Sequence, residues 1–159
     1  MATLDADMPA IVARTLLRFA ATSNPDGSPN LSPKSSLHDE GHLLFANIAS
    51  PGTLRNLRRD PRIEINCVDI FARRGYRLTG RATIHSAGAP LHVALAEAVR
   101  REHRSGIPVH DAVLLEALEA KPVMSPAYTF IAGVTEESRR AACARRYGIV
   151  PLAERERTP

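Results

Sequence analysis

The chain has 159 residues, 44% hydrophobic and 24% charged, a globular balance that excludes a disordered or low-complexity protein. Its net charge is +4, and only Lys34 and Lys121 of its 21 basic residues are lysine, so arginine-rich recognition of phosphate, carboxylate or nucleic acid is open. Aromatic residues are 4% with no tryptophan, which disfavours a base-stacking nucleic-acid platform, and Cys67 and Cys143 form no CxxC, which argues against zinc or a disulfide framework. No apolar run reaches the roughly 18–20 residues of a membrane span. Asp5 and Asp7 precede the first basic residue, Arg14, so no signal peptide is expected and the cytoplasm is the expected location.

The N-terminal half reads as strands. Segment 14–23 ends in the turn cluster Asn24-Pro25-Asp26-Gly27-Ser28, and 29–37 follows as the second arm of a hairpin. A turn at 38–41 leads into a strand over 42–48, completing an antiparallel meander. Ser50-Pro51 then places an N-cap serine before an N1 proline, and predicts a short helix over 51–59 that stops at Asp60-Pro61. Alternation predicts strands over 62–71 and 75–86, with Gly80 marking a bend of the kind a barrel corner needs.

Leu91, Leu95, Ala98 and Val99 have helical spacing over 90–104, and Val113, Leu114 and Leu118 suggest a second helix over 111–120. A sixth strand is expected over 126–134, then a last helix from Thr135, with acids in its first turn, to a stop at Gly148. The expected organisation is one domain over 1–150 and a charged tail over 151–159. Its fold class is α+β: a six-stranded antiparallel split barrel with short peripheral helices and a helical insertion. The nine glycines contain no GxGxxG or Walker motif, which excludes dinucleotide-binding and P-loop folds.

Two segments are candidates for chemistry. The start of the 51–59 helix offers backbone N–H groups, the positive end of a helix dipole, and the hydroxyls of Ser50 and Thr53, although Ser50 also suits a plain N-cap. In Ser32-Pro33-Lys34-Ser35-Ser36, alternation places Ser32, Lys34 and Ser36 on one face and Ser35 on the other, and Pro33 suggests an edge or a bulge. A polar face of an edge strand explains the same pattern. Arg74, Arg77 and Arg81 form either an anion-binding stripe or a salt-bridged strand face. His38 and His42 read as surface residues flanking a turn, and Asp69 as a solvated strand end.

The motif order through Phe19-Ala20-Ala21-Thr22, Asn24-Pro25-Asp26-Gly27, Ser32-Pro33-Lys34, Phe45-Ala46-Asn47, Ser50, Thr53-Leu54-Arg55-Asn56-Leu57, Asp60-Pro61-Arg62-Ile63 and Tyr76-Arg77-Leu78-Thr79-Gly80 resembles the pyridoxamine 5′-phosphate oxidase-like FMN-binding split barrels over roughly residues 14–86. That resemblance implies a homodimer of split barrels with FMN at the interface. It implies a cofactor-binding set of Ser32, Pro33, Lys34, Ser35, Ser36, Ala46, Asn47, Ser50, Thr53, Leu54 and Arg77, with the phosphate against Lys34 and the 47–53 turn. The vitamin B6 oxidases carry a basic phosphate set where this chain has Pro51-Gly52, and end in a Trp- and Arg-containing segment that it lacks. The resemblance therefore implies the wider family and not pyridoxamine phosphate oxidation. The expected function is a small FMN-dependent oxidoreductase acting on a small molecule, its catalytic residues unassigned. A non-catalytic FMN-storage or redox-sensing protein is the alternative, a nucleic-acid-binding barrel a remote one. The wider family also takes deazaflavins or haem.

Overall fold

The computed structural model describes residues 7–34, 36–39, 42–103 and 106–149, with the side chains of 36–39 and 42 outside that description. Chain order is α1 (Met8–Arg14), β1 (Arg18–Ser23), β2 (Pro29–Lys34), β3 (Ser36–Asp39), β4 (His42–Asn47), α2 (Pro51–Arg59), β5 (Arg62–Asp69), β6 (Arg74–Ser86), α3 (Pro90–His103), β7 (Asp111–Met124), α4 (Ala127–Phe130) and α5 (Glu136–Arg146). Every strand pairing is antiparallel, and the sheet order is β2-β1-β5-β6-β7-β4-β3. The two ends of that order, β2 and β3, are one residue apart in the chain. The sheet therefore curls until its ends meet. Counted as one interrupted strand, β2 and β3 give the six-stranded antiparallel split barrel expected from the sequence.

The hairpin turn forms as read: Gly27 sits at φ +83°, and the Ser28 amide donates to the Asp26 carboxylate at 3.0 Å. Gly80 lies at a register shift in the β6–β7 ladder, where the long strands bend. Phe45, Ile65, Cys67, Val113 and Leu115 fill the barrel, and Leu54 and Leu57 of α2 close one side. Both cysteines are buried, as small hydrophobes.

Three of the expected elements are corrected. Segment 111–120 is strand β7, not helix. Its Ala, Leu and Glu content favours helix, but the segment fills the gap between β6 and β4, and two ladders of tertiary hydrogen bonds outweigh propensity. Val113 and Leu115 point inward, fully buried, as alternate residues of a strand do, while Leu118, at the register shift beside Gly80, is 56% exposed. The helical insertion between β6 and β7 is therefore α3 alone. Segment 126–134 is not the closing strand: β7 already fills that place, and Ala127–Phe130 forms the single turn α4. The first strand begins at Arg18 rather than 14, because Met8, Ile11 and Val12 make the buried stripe of α1.

Asp69 is not a solvated strand end. It is 8% exposed, accepts the Phe71 and Ala72 amides at 3.0 Å, and pairs with Arg14 and Arg140. Burial alone would raise its carboxyl, but the Ala72 amide, Arg140 and the Phe71 amide outweigh it and hold the group below the usual range. Through Arg140, with Glu136 reaching Arg14 and Arg74, this cluster fastens α5 to the sheet. No helix among the described residues is long and apolar enough to cross a membrane.

Candidate functional site: a buried lysine in a cleft beside α2

The cleft lies where the end of β2 meets the turn between β4 and α2. Its volume is about 470 Å³, and Leu17, Ser32, Pro33, Lys34, Ala46, Ile48, Ala49, Ser50, His103 and Ile107 line it. Lys34 is 5% exposed, and the β1–β2 register sets it opposite Arg18, a second buried cation. Lys34 Nζ donates to Ser32 Oγ at 2.7 Å and to Ser50 Oγ, the two hydroxyls lie 3.2 Å apart, and the ammonium stands 5.5 Å from the centre of the Phe45 ring. None of these partners is an anion. Asp111, the nearest carboxylate in the bonding chain, is held by Asn47 Nδ2 at 3.0 Å and by Arg58 at 3.4 Å.

The turn is built by Asn47. Its Oδ1 accepts the Ser50 amide at 3.2 Å while its Nδ2 binds Asp111, so one side chain braces the approach to α2. Ser50 is the N-cap residue, yet its hydroxyl makes no capping bond. It points to Lys34 and Ser32 instead, which removes the plain N-cap reading. Beneath α2 lies a separate polar network: Asn30 Nδ2 donates to Thr22 Oγ1 and Thr53 Oγ1, and Asn56 Nδ2 to Thr22 Oγ1 and Asn24 Oδ1.

The predicted set therefore divides. Ser32, Pro33, Lys34, Ala46 and Ser50 line the cleft, and Asn47 shapes its wall. Thr53 faces Asn30, and Leu54 is 1% exposed in the core. Arg77, on β6 opposite Asn66 and Lys121, pairs with Glu64 at 3.5 Å and does not line the cleft. Ser35 and the Ser36, His38 and His42 side chains lie outside the described residues. Sequence reading missed Arg18, Leu17, Ile48, Ala49, His103 and Ile107. The alternation Arg18-Ala20-Thr22 puts Arg18 on the buried face, but a charged residue in such a strand reads as outward; the others come from loops and the insertion, which periodicity does not place.

Burial pushes the Lys34 ammonium down to about 8 from 10.5. Because the unfolded chain then binds more protons between those values, stability rises as pH climbs from 8 toward 10.5. The Cys67 thiol, pushed up to about 11 from 9.0 by burial, acts oppositely above pH 9. Urea midpoints at pH 7, 8 and 9 are therefore expected to rise for wild type and to rise less for Lys34→Met; parallel profiles would show that Lys34 is not desolvated.

A curled antiparallel barrel with a cationic cleft at a helix start defines a split-barrel protein. The chain belongs to the pyridoxamine 5′-phosphate oxidase-like family, whose model, described as pyridoxamine 5′-phosphate oxidase, matches residues 4–138. No curated protein matches the chain. Among solved structures it is similar to HupZ from Group A Streptococcus, with 25% identity, a TM-score of 0.61, and 77% of this chain and 96% of that one covered. An F420 reductase shares the fold at 16% identity and a TM-score of 0.63, covering 74% of this chain and 98% of that one. So does a pyridoxamine 5′-phosphate oxidase-related, FMN-binding protein from Nostoc punctiforme, at 17% and 0.59, covering 76% and 84%.

Proposed function

We propose that the protein binds FMN in this cleft and acts as a small flavin-dependent oxidoreductase. The observation that carries the reading is Lys34: a desolvated ammonium with two hydroxyl partners and no carboxylate among its partners, at the start of α2. A phosphate supplies the missing countercharge, and Ser32 and Ser50 supply hydrogen bonds beside it. Apart from His103, the remaining walls, Leu17, Pro33, Ala46, Ile48, Ala49 and Ile107, are apolar and suit a flat ring system, and the cleft volume lies in the range of cofactor sites. The FMN-binding relative from Nostoc supports the same cofactor. When bound, the flavin supplies hydride or electron transfer, and the chain supplies position and charge.

A second copy of the chain completes the site in this proposal. Leu16 and Ile70 are 85% and 57% exposed, and they line an apolar depression of about 270 Å³ with Leu17, Phe19, Val68 and Phe71. Leu17 lines both this depression and the cleft, so a subunit covering one would wall the other.

The test is an absorption spectrum of the purified protein with added FMN, before and after anaerobic NADPH, alongside its mass in solution. Retained flavin bands, one FMN per chain and a dimer mass are expected, with bleaching by NADPH marking a reductase. Bands that persist would favour storage or sensing, and failure to take up FMN would overturn the proposal.

A further inference from the structure

The insertion brings a histidine to the cleft. Helix α3 packs on β4 and β7 through Leu95 and Val99, which form a cluster with Leu44 and Ala112. His103 follows these at the same four-residue interval, at the exposed end of that stripe. Where that stripe passes the cluster, it reaches the cleft wall, and the residue there is an imidazole rather than a further aliphatic. The helix is fixed at its other end. His92 Nε2 donates to the Val109 carbonyl at 2.9 Å while its Nδ1 accepts the Gly88 amide at 3.3 Å, and the His110 amide donates to the Asn47 carbonyl at 2.8 Å. The start of α3 and the chain at 109–110 are thereby joined to the same Asn47 turn that shapes the phosphate end.

The polar groups of the cleft differ in one respect. Ser32, Lys34 and Ser50 bond to one another, whereas the His103 side chain has no hydrogen-bond or ionic partner among the described residues. Among the described residues, Lys34 on β2 lines the same cleft, and Arg100, Arg101 and Glu102 precede His103 on its own helix. A ring nitrogen that can donate, held at the wall of a largely apolar cleft, suits the polar edge of a flat heteroaromatic ligand.

We propose that His103 is a positioning residue for the bound flavin, hydrogen-bonding its ring system from the α3 side while Lys34 and Ser50 hold the phosphate; this rests on the FMN reading above. It gives α3 a role: the insertion selects what the cleft accepts at the ring rather than at the phosphate.

The experiment titrates FMN and riboflavin into wild type, His103→Ala, His103→Gln and Lys34→Met, read by flavin fluorescence and by the visible absorption maxima. His103→Ala is expected to weaken both ligands about tenfold, the value of one hydrogen bond, and to return the absorption maxima toward those of free flavin. His103→Gln, which keeps a donor, stays within about threefold of wild type. The ratio of FMN to riboflavin affinity is unchanged by both but collapses in Lys34→Met. His103 is exposed, so thermal midpoints of the two variants should match wild type. Unchanged flavin affinity and spectrum in His103→Ala would overturn the role of His103 and leave the FMN reading standing. Loss in His103→Ala that glutamine does not rescue would also overturn it. Wild type that takes up neither flavin would overturn both.

Discussion

Replacing Lys34 with methionine should weaken FMN binding about 100-fold and leave riboflavin binding within about threefold of wild type. The reason is the position of the charge. An ammonium on a phosphate makes a charge-assisted bond of roughly 1.5–3 kcal/mol, and the low-dielectric cleft places this one at the upper end. Lys34 approaches Ser32 and Ser50, and its ammonium, at the end of an unbranched stem, stands over the Phe45 ring. Methionine keeps that stem and its packing while losing only the charge, so the cleft should not collapse. The free protein should become more stable at neutral pH, because a desolvated cation whose titration has moved down to about 8 costs folding free energy wherever it is charged. Binding loss joined to a higher urea midpoint separates a ligand-binding lysine from a structural one, which would lose both. Titrations at one ionic strength decide it: equal losses for FMN and riboflavin would mean that Lys34 shapes the whole cleft and does not meet a phosphate.

The part of this site that was legible in the sequence is the part carried by local rules. Helix α2 runs over Pro51–Arg59 as Ser50-Pro51 and Asp60-Pro61 predict, and α5 begins at the capping box of Thr135 and Ser138. Lys34 and Ser32 share a face because strand alternation requires it. Rules of this kind miss what the third dimension decides. The Ser50 hydroxyl obeys its sequence signature as an N-cap residue, yet turns to Lys34, since a buried ammonium without an anion competes for it more strongly than an amide does. Segment 111–120 has a helix former's composition and becomes the strand with ladders on both sides, because the barrel needs a strand there more than the segment needs a helix. Arg18 was hidden for the opposite reason: a charged residue in an alternating strand reads as outward, and this one faces in, where it donates to the Val12 carbonyl at the end of α1.

A large loss of stability should come from Gly80→Ala. A Cβ at this position would stand 2.0 Å from the Glu116 carbonyl oxygen and 2.8 Å from Leu115 Cδ1. The side chain could rotate away, but the carbonyl belongs to β7, which is bound to β6 on one side and β4 on the other. Relief requires the two long strands to part where their register already shifts, and that costs ladder bonds as well as core contacts. A loss of at least about 3 kcal/mol follows from overpacking against an immovable backbone. Gly27→Ala is the informative comparison: that glycine has φ +83° and nothing within 4 Å, so it carries only the strain of a left-handed residue, about 1 kcal/mol. Urea unfolding of both variants, with slopes compared to wild type, distinguishes the two costs. Were Gly80→Ala no worse than Gly27→Ala, the close approach of β6 and β7 would be wrong. The corner that curls β6 and β7 would then need another cause.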